Sequence, residues 1–241
     1  MASERLDKRV ASSFGLSRAQ AQEAIKRGRV HVDGAAVKRP EEKPPAGAVI
    51  ELDGQAGKSE KYVYIMMDKP EGYLSATEDK NDRTVLELLP QNLRRRSLGI
   101  VGRLDKDVSG FLLITDDGEL NHRLTSPRRH VDKVYEAWLD GPVGQDEVDA
   151  FAAGLELSDF TARPALLQPD EDDPCHCHVT ISEGRFHQVK RMFERVGRHV
   201  AALRRISIGG LCLDGSLGRG GWRKLSNEER EYLERKCGIR Q

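Results

Sequence analysis

The chain is poor in the features that mark secreted, membrane-spanning and metal-built proteins. Its 241 residues include four cysteines, Cys175, Cys177, Cys212 and Cys237. They form no CxxC spacing and no dense framework, which excludes a disulfide-stapled scaffold and implies reduced thiols. No apolar run approaches the roughly 20 residues that a membrane helix needs. The start, Met1-Ala2-Ser3-Glu4-Arg5, is polar at once and lacks the apolar core of a signal peptide, so a cytoplasmic protein without a membrane partner is expected. Internal repeats and long low-complexity tracts are missing too.

A basic excess is also lacking, since 39 Lys+Arg offset 39 Asp+Glu. Taken alone, that balance argues against a nucleic-acid partner. The distribution argues the other way. Residues 1–39 carry nine Lys/Arg against four acids, and residues 185–205 carry seven against one, Glu194. The offsetting acids cluster elsewhere, notably from Asp146 to Asp173. Segregated charge can present a cationic face to phosphates, although charge runs also occur as plain solvated surface.

What is present divides the chain in two. Leu6, Val10 and Phe14 share a helical face, and Ser17-Arg18-Ala19-Gln20 has a capping-box pattern that opens a second helix ending at Gly28. Val30-His31-Val32-Asp33-Gly34 reads as a strand entering a turn, and Val49–Leu52 as another strand. The polar stretch from Asp53 to Glu60 reads as a linker, which places domains at 1–55 and 61–241. Beyond it, strands are expected at 62–67, 111–115, 134–139, 176–181 and 203–208. Helices are expected at 84–89, 118–124, 145–153, 188–196 and 227–236. Strands outnumber regular βαβ alternations, so the predicted class is α+β, with a mainly antiparallel sheet flanked by helices behind a small N-terminal α+β domain.

The chemistry concentrates in Gly102-Arg103-Leu104-Asp105, followed by Ser109-Gly110-Phe111-Leu112-Leu113 and Thr115-Asp116-Asp117-Gly118. If the backbone there is extended, Arg103 and Asp105 point to one side. A guanidinium beside a carboxylate favours its ionised form and orients it, as a nucleophile requires. An ordinary surface ion pair at a turn would look the same locally and be worth about 0–1 kcal/mol.

This segment resembles the signature of the pseudouridine synthases, most of all the branch named for small-subunit ribosomal RNA pseudouridine synthase A. Three further blocks agree in order. They are Lys69-Pro70-Glu71-Gly72-Tyr73, the stretch from Ser126 to Tyr135, and Ile181-Ser182-Glu183-Gly184-Arg185-Phe186-His187-Gln188-Val189-Lys190-Arg191-Met192-Phe193. The resemblance spans about residues 61–235, and residues 1–50 resemble an S4 RNA-binding module. Lys190 stands where sister groups have arginine, which leaves the geometry of its pairing with Asp105 open.

The resemblance implies an RNA isomerase that detaches uracil from ribose, turns it and rejoins it through carbon, with no cofactor and no metal. Asp105 would be the catalytic carboxylate. Arg103 would hold it and help extrude the nucleotide. Tyr135 would stack on the uracil, and Lys190 would pair with Asp105. Extrusion costs a few kcal/mol, offset by phosphate contacts. Candidate RNA contacts are Arg5, Arg9, Arg18, Lys26, Arg27 and Arg29 in the first domain. In the second they are Lys69, Arg128, Arg129, Arg185, His187, Gln188 and Arg191, with Arg94–Arg96 and the other cations up to Arg205. The expected partner is ribosomal RNA or an assembly intermediate, bound by a monomer. Within that branch the expected target lies in the 5′ domain of 16S rRNA; a large-subunit site is the alternative.

Two other functions fit parts of the pattern. A non-catalytic RNA binder would share the basic stretches but would not need Arg103, Asp105, Tyr135 and Lys190 together. A glycosidase would need a second carboxylate, and Asp107 is available, but basic surroundings favour a polyanion. Cys175-His176-Cys177-His178 invites a metal reading, yet strand alternation would send the cysteines one way and the histidines the other. Gly218–Trp222 lacks the ending of a phosphate loop and reads as a turn. Asp116-Asp117 before Gly118 reads as a turn or helix start.

Overall fold

Two Asp-Gly turns organise the first part of the chain. In the computed structural model, which describes residues 4–45, 48–57, 62–94 and 96–239, α1 (Leu6–Phe14) and α2 (Arg18–Lys26) pack on a sheet of four short strands. These are β1 (Val30–Val32), β2 (Ala35–Ala36), β3 (Ile50–Leu52) and β4 (Gln55–Ala56), in the order β2-β1-β3-β4. Asp33-Gly34 and Asp53-Gly54 both have positive φ at each residue, the backbone that a two-residue hairpin needs. Asp53–Ala56 therefore belongs to a hairpin and not to the predicted linker; residues 58–60 of that stretch lie outside the described residues. The Ser17–Gln20 capping box forms as read. Leu6, Val10, Ala21, Ile25, Val30 and Ile50 are the core of this unit, with Phe14 against it. The chain clusters into two compact units, Met1–Lys61 and Tyr62–Gln241.

The second unit runs, in order, through β5 (Tyr64–Lys69), a 3-10 turn (Val85–Leu88), α3 (Gln91–Arg94), β6 (Gly99–Val101), β7 (Ser109–Thr115), α4 (Gly118–Thr125), β8 (Lys133–Leu139), α5 (Gln145–Ala153), β9 (Leu155–Glu156) and β10 (Thr161–Ala162). It continues through β11 (Leu166–Pro169), β12 (His176–Ile181), α6 (Gln188–Arg195), β13 (Val200–Ile208), β14 (Leu211–Cys212), β15 (Trp222–Lys224) and α7 (Asn227–Lys236). The large sheet has the order β11-β12-β8-β13-β7-β5-β15, with β6 also on β7 and β14 also on β13. Every pairing is antiparallel except β13 with β7. This is the mixed, mainly antiparallel α+β sheet that the pattern predicts. The expected helix at 84–89 is only the 3-10 turn Val85–Leu88.

The centre of the sheet is buried on both faces. Along β5 and β7 every residue is buried, and alternate side chains enter two different cores. Ile65, Met67, Leu112 and Ile114 meet Phe151, Val189, Met192 and Phe193 from α5 and α6. Tyr64, Met66, Phe111 and Leu113 meet Leu120, Leu124 and Leu233 from α4 and α7. β8 alternates instead, sending Lys133, Tyr135, Ala137 and Leu139 inward. On β12 the same alternation buries Cys177 and leaves His176 and His178 half-buried on the other face. Burial pushes the Cys177 thiol up to about 12, so it stays protonated.

Candidate active site

The loop from Gly102 to Val108 is held by its carbonyls. Arg205 Nη2 donates to Gly102 O at 2.6 Å, and Ser75 Oγ donates to Leu104 O at 2.7 Å. The Gly72 amide reaches Lys106 O at 2.7 Å, and Lys69 Nζ reaches Val108 O at 2.8 Å. Ser75 Oγ also accepts from the Leu104 amide at 3.0 Å. The even-numbered residues are thus tied to the body of the protein, while Leu104 and Val108 are buried in the core. Between these anchors Asp105 is presented to a cavity of about 750 Å³. Its side chain retains 31% exposure.

Tyr135, Lys133, Arg205, Arg103, His187 and Lys190 line the same cavity. The carboxylate therefore shares a cleft with the aromatic ring and the cations expected of it. Tyr135 is 7% exposed, and the Arg205 guanidinium lies 5.9 Å from its ring centre, with Nη1 3.4 Å from its hydroxyl. Arg205 Nε donates to Phe111 O at 2.9 Å. This arginine, 1% exposed, ties β7, β8 and the Gly102–Val108 loop together. It approaches so closely because Gly110 (φ 101°) has no side chain: a Cβ there would overlap the Arg205 backbone.

His187 caps α6 with φ 51°, in the left-handed region that few non-glycine residues adopt. Its ring stacks on Phe186 with centres 3.8 Å apart, and Nε2 lies 3.6 Å from Asp105 Oδ2, just beyond hydrogen-bond reach. Phe186 is 71% exposed at the rim.

Several expected pairings are corrected. Lys190 bonds Asp107, not Asp105: Nζ lies 2.6 Å from Asp107 Oδ2, and this contact holds the Asp107 carboxyl below the usual carboxylate range. Arg103 is exposed and makes no ion pair with Asp105 among the described residues. The chain turns after Gly102 (φ 63°) and again at Lys106-Asp107, so the two-residue alternation of an extended strand does not apply. Lys69 is no RNA contact. It is fully buried, its ammonium held by Pro70 O, Lys106 O and Val108 O, and burial pulls it down to about 8 against the fields of Asp107 and Asp105. Gln188 is buried as well, donating to Glu183 at 2.7 Å.

The other predicted RNA contacts divide similarly. Arg9 is buried and donates to the carbonyls of Pro44, Pro45 and Ala48, so it braces a loop. Arg5 and Arg18 converge on buried Asp7. Arg27 pairs with Glu23, and Arg29 with Asp53. Arg191 pairs with Asp159, and Arg129 donates to Cys237 O at 2.8 Å. Arg204 pairs with Asp68, and Arg94 and Arg96 are also occupied, by Leu89 O and Asp116. Arg95 lies outside the described residues. Arg185 lies over the Phe160 ring at 4.5 Å. Lys26 and Arg128 are exposed with no ion pair among the described residues. Asp117 caps α4 by accepting from the amides of Glu119 and Leu120, as the sequence suggests.

Sequence reasoning does not reach the roles of Arg205, Lys133 and Ser75. Strand alternation carries a signal for two of them. Lys133 is two residues before Tyr135 on β8, and Arg205 is opposite Tyr135 across the sheet. Nothing local marks Ser75.

A family model described as RNA pseudouridylate synthase matches residues 63–195, and an S4 domain matches residues 4–50. The chain belongs to the RNA pseudouridine synthase family and is an RNA-modifying enzyme with an N-terminal S4 domain. It is 42% identical to the ribosomal small subunit pseudouridine synthase A of Escherichia coli (strain K12), over 93% of this chain and 97% of that one. It is 41% identical to an uncharacterized RNA pseudouridine synthase of Aquifex aeolicus (strain VF5), over 96% of both chains. A crystal structure of a pseudouridylate synthase superposes with a TM-score of 0.68 at 37% identity, covering 96% of this chain and all of that one. No helix among the described residues is long and apolar enough to cross a membrane.

Proposed function

We propose that this enzyme converts a uridine in the 5′ domain of 16S ribosomal RNA to pseudouridine. It would act in the cytoplasm as a monomer, on ribosomal RNA or an assembly intermediate, without a cofactor. Residues 1–55 would anchor the RNA and residues 61–241 would carry out the reaction. The observation that carries this reading is the anchored Asp105, which shares with Tyr135 a cleft large enough for one extruded nucleotide. The similarity to the small-subunit enzyme across almost the whole chain supports the choice of substrate.

In the reaction the bond from ribose C1′ to uracil N1 breaks and a bond from C1′ to C5 forms. C5 loses its proton and N1 gains one, so nothing is oxidised or reduced. Asp105 supplies the carboxylate that acts on the nucleotide while the base is detached. Tyr135 offers a flat face for the base. Arg103, exposed at the cavity wall and unpaired with Asp105, is free to enter the space the base vacates. Lys190 and His187 line the same cavity, next to Asp107 and Asp105 respectively.

Asp105→Asn is expected to lower tritium release from 5-tritiated uridine RNA at least 1,000-fold while leaving RNA affinity within about three-fold. A variant turning over at the wild-type rate contradicts the assignment. Mapping pseudouridine in 16S and 23S rRNA from a strain without the protein tests the substrate. A missing modification in 23S alone would select the large-subunit reading.

A further inference from the structure

Two lysines are buried in this unit, and their surroundings differ in one respect. Lys69 and Lys133 are 0% and 8% exposed, and burial pulls each down to about 8. An ammonium has three donors. Lys69 uses all of them on three backbone carbonyls. Lys133 has one acceptor among the described residues, Val131 O at 2.8 Å, and makes no ion pair there. Asp132 and Glu183 act on it only at longer range, and Arg205 repels it. Glu183 is already engaged by the Gln188 side chain and the Arg163 amide. The two remaining N–H groups are available to an acceptor that enters the cavity which Lys133 lines.

Their location identifies that acceptor. Lys133 lines the catalytic cavity. Its Cε lies 4.0 Å from where a Cβ on Gly102 would be and 3.9 Å from where one on Gly184 would be. The ammonium end thus sits between the loop bearing Asp105 and the loop bearing His187. It also faces the same side of β8 as Tyr135, two residues or about 6.8 Å along the strand. A phosphodiester, tied to its neighbours on both sides, stays at the rim. The base enters, and uracil carries two ring carbonyls.

We propose that the Lys133 ammonium donates to a ring carbonyl of the extruded uracil and keeps hold of the base while it is detached and turned. Uracil suits such a donor. Turning the ring about its N3–C6 axis exchanges N1 with C5 and, in the same motion, exchanges the two carbonyls. A fixed donor that meets one carbonyl in the substrate meets the other in the product, so the base is held at both ends of the reaction. Lys133 is thereby a base-binding residue, and the proposal rests on the reaction assigned above.

The test uses the full chain and its ribosomal RNA substrate, with uridine, 2-thiouridine or 4-thiouridine at the target position, each tritiated at C5. Sulfur is a weak hydrogen-bond acceptor. Wild-type enzyme should release tritium about ten-fold more slowly in single turnovers from one of the two sulfur RNAs. Lys133→Met should be slowed about 100-fold on uridine RNA and be indifferent, within two-fold, to sulfur. Lys133→Arg should recover part of the rate. The proposal is overturned if Lys133→Met matches the wild-type rate, or if sulfur slows both enzymes by one factor, as a merely structural lysine requires. Should Lys133→Met fail to fold, Lys133→Leu, which also lacks a donor, is judged by the same criteria. Wild-type enzyme inactive on every ribosomal RNA would instead sink the assigned reaction and not the role of Lys133 alone.

Discussion

Buried Asp7 and Lys69 are saturated by the chain, whereas Lys133 keeps donors that a ligand can satisfy. Asp7, fully buried, is saturated: Arg5 Nη2 at 3.0 Å, Arg18 Nε at 3.3 Å and Gln22 Nε2 at 2.9 Å all reach it. Burial pushes its carboxyl upward, but these three donors outweigh that and hold it well below the usual carboxylate range. The sign of the linkage follows. The folded unit binds this proton less readily than the unfolded chain, so the stabilisation is complete above the ordinary aspartate pKa. It is lost as pH falls towards the lowered folded value. Asp7→Asn is expected to cost about 1–3 kcal/mol at neutral pH and to flatten the acid limb of unfolding of the first unit. Unfolding by denaturant at pH 7 and below pH 4 checks this; an equally steep acid limb in the variant contradicts it. The same residue already engages Arg5 and Arg18, which read as phosphate contacts. Their identity is visible in the sequence, but the carboxylate that engages them is not, because nothing in Glu4-Arg5-Leu6-Asp7 says which charge will be buried.

At the scale of elements, the candidate site is braced by one close crossing. β13 runs parallel to β7 for two residue pairs, Arg204 with Ser109 and Arg205 with Gly110. The glycine lets the strands approach until the Arg205 side chain can reach Phe111 O and Gly102 O. Gly110→Ala must accommodate both a positive φ and an overlap with strand backbone. It is expected to lower stability by more than about 2 kcal/mol and to abolish turnover. Urea unfolding within about 0.5 kcal/mol of wild type would refute the crossing as the constraint. Such a crossing joins residues almost a hundred positions apart, which is why it is not legible in the sequence. What is legible is local: the buried runs of β5 and β7, the alternation of β8 and β12, and the capping box at Ser17. The short edge strands β11 and β15 are not, since Leu166–Pro169 contains a proline and Trp222–Lys224 has only three residues. The expected pairing of Lys190 fails for a related reason. Spacing places a lysine in the first turn of α6, but whether it meets Asp105 or Asp107 depends on how a turn is wound.

For the whole molecule, neutrality hides how many of the cations expected to meet RNA are already paired. In the first unit Arg5 and Arg18 share Asp7, Arg27 holds Glu23 and Arg29 holds Asp53. In the second, Arg191, Arg198 and Arg204 are committed to Asp159, Glu147 and Asp68. Lys26, Arg103 and Arg128 are exposed without such partners among the described residues. Most surface pairs are weak, about 0–1 kcal/mol, so a phosphate can capture an arginine from its carboxylate at small cost. Affinity assembled from such contacts should be spread over both units and depend strongly on salt. A second unit tethered to the same RNA raises the local concentration of the first without touching the reacting atoms. Removal of residues 1–55 is therefore expected to weaken RNA binding at least ten-fold. It should also reduce the slope of log affinity against log salt by about 0.7–0.9 for each phosphate that the first unit would have neutralised. Turnover at saturating RNA should stay within about three-fold of the full chain, because Asp105, Tyr135, Lys133 and Arg205 with all their anchors lie in the second unit. Binding isotherms across a salt series, paired with single-turnover rates, separate the two effects. Unchanged affinity would remove the anchoring role from the S4 domain, and abolished turnover at saturation would show that the site needs that domain for more than attachment.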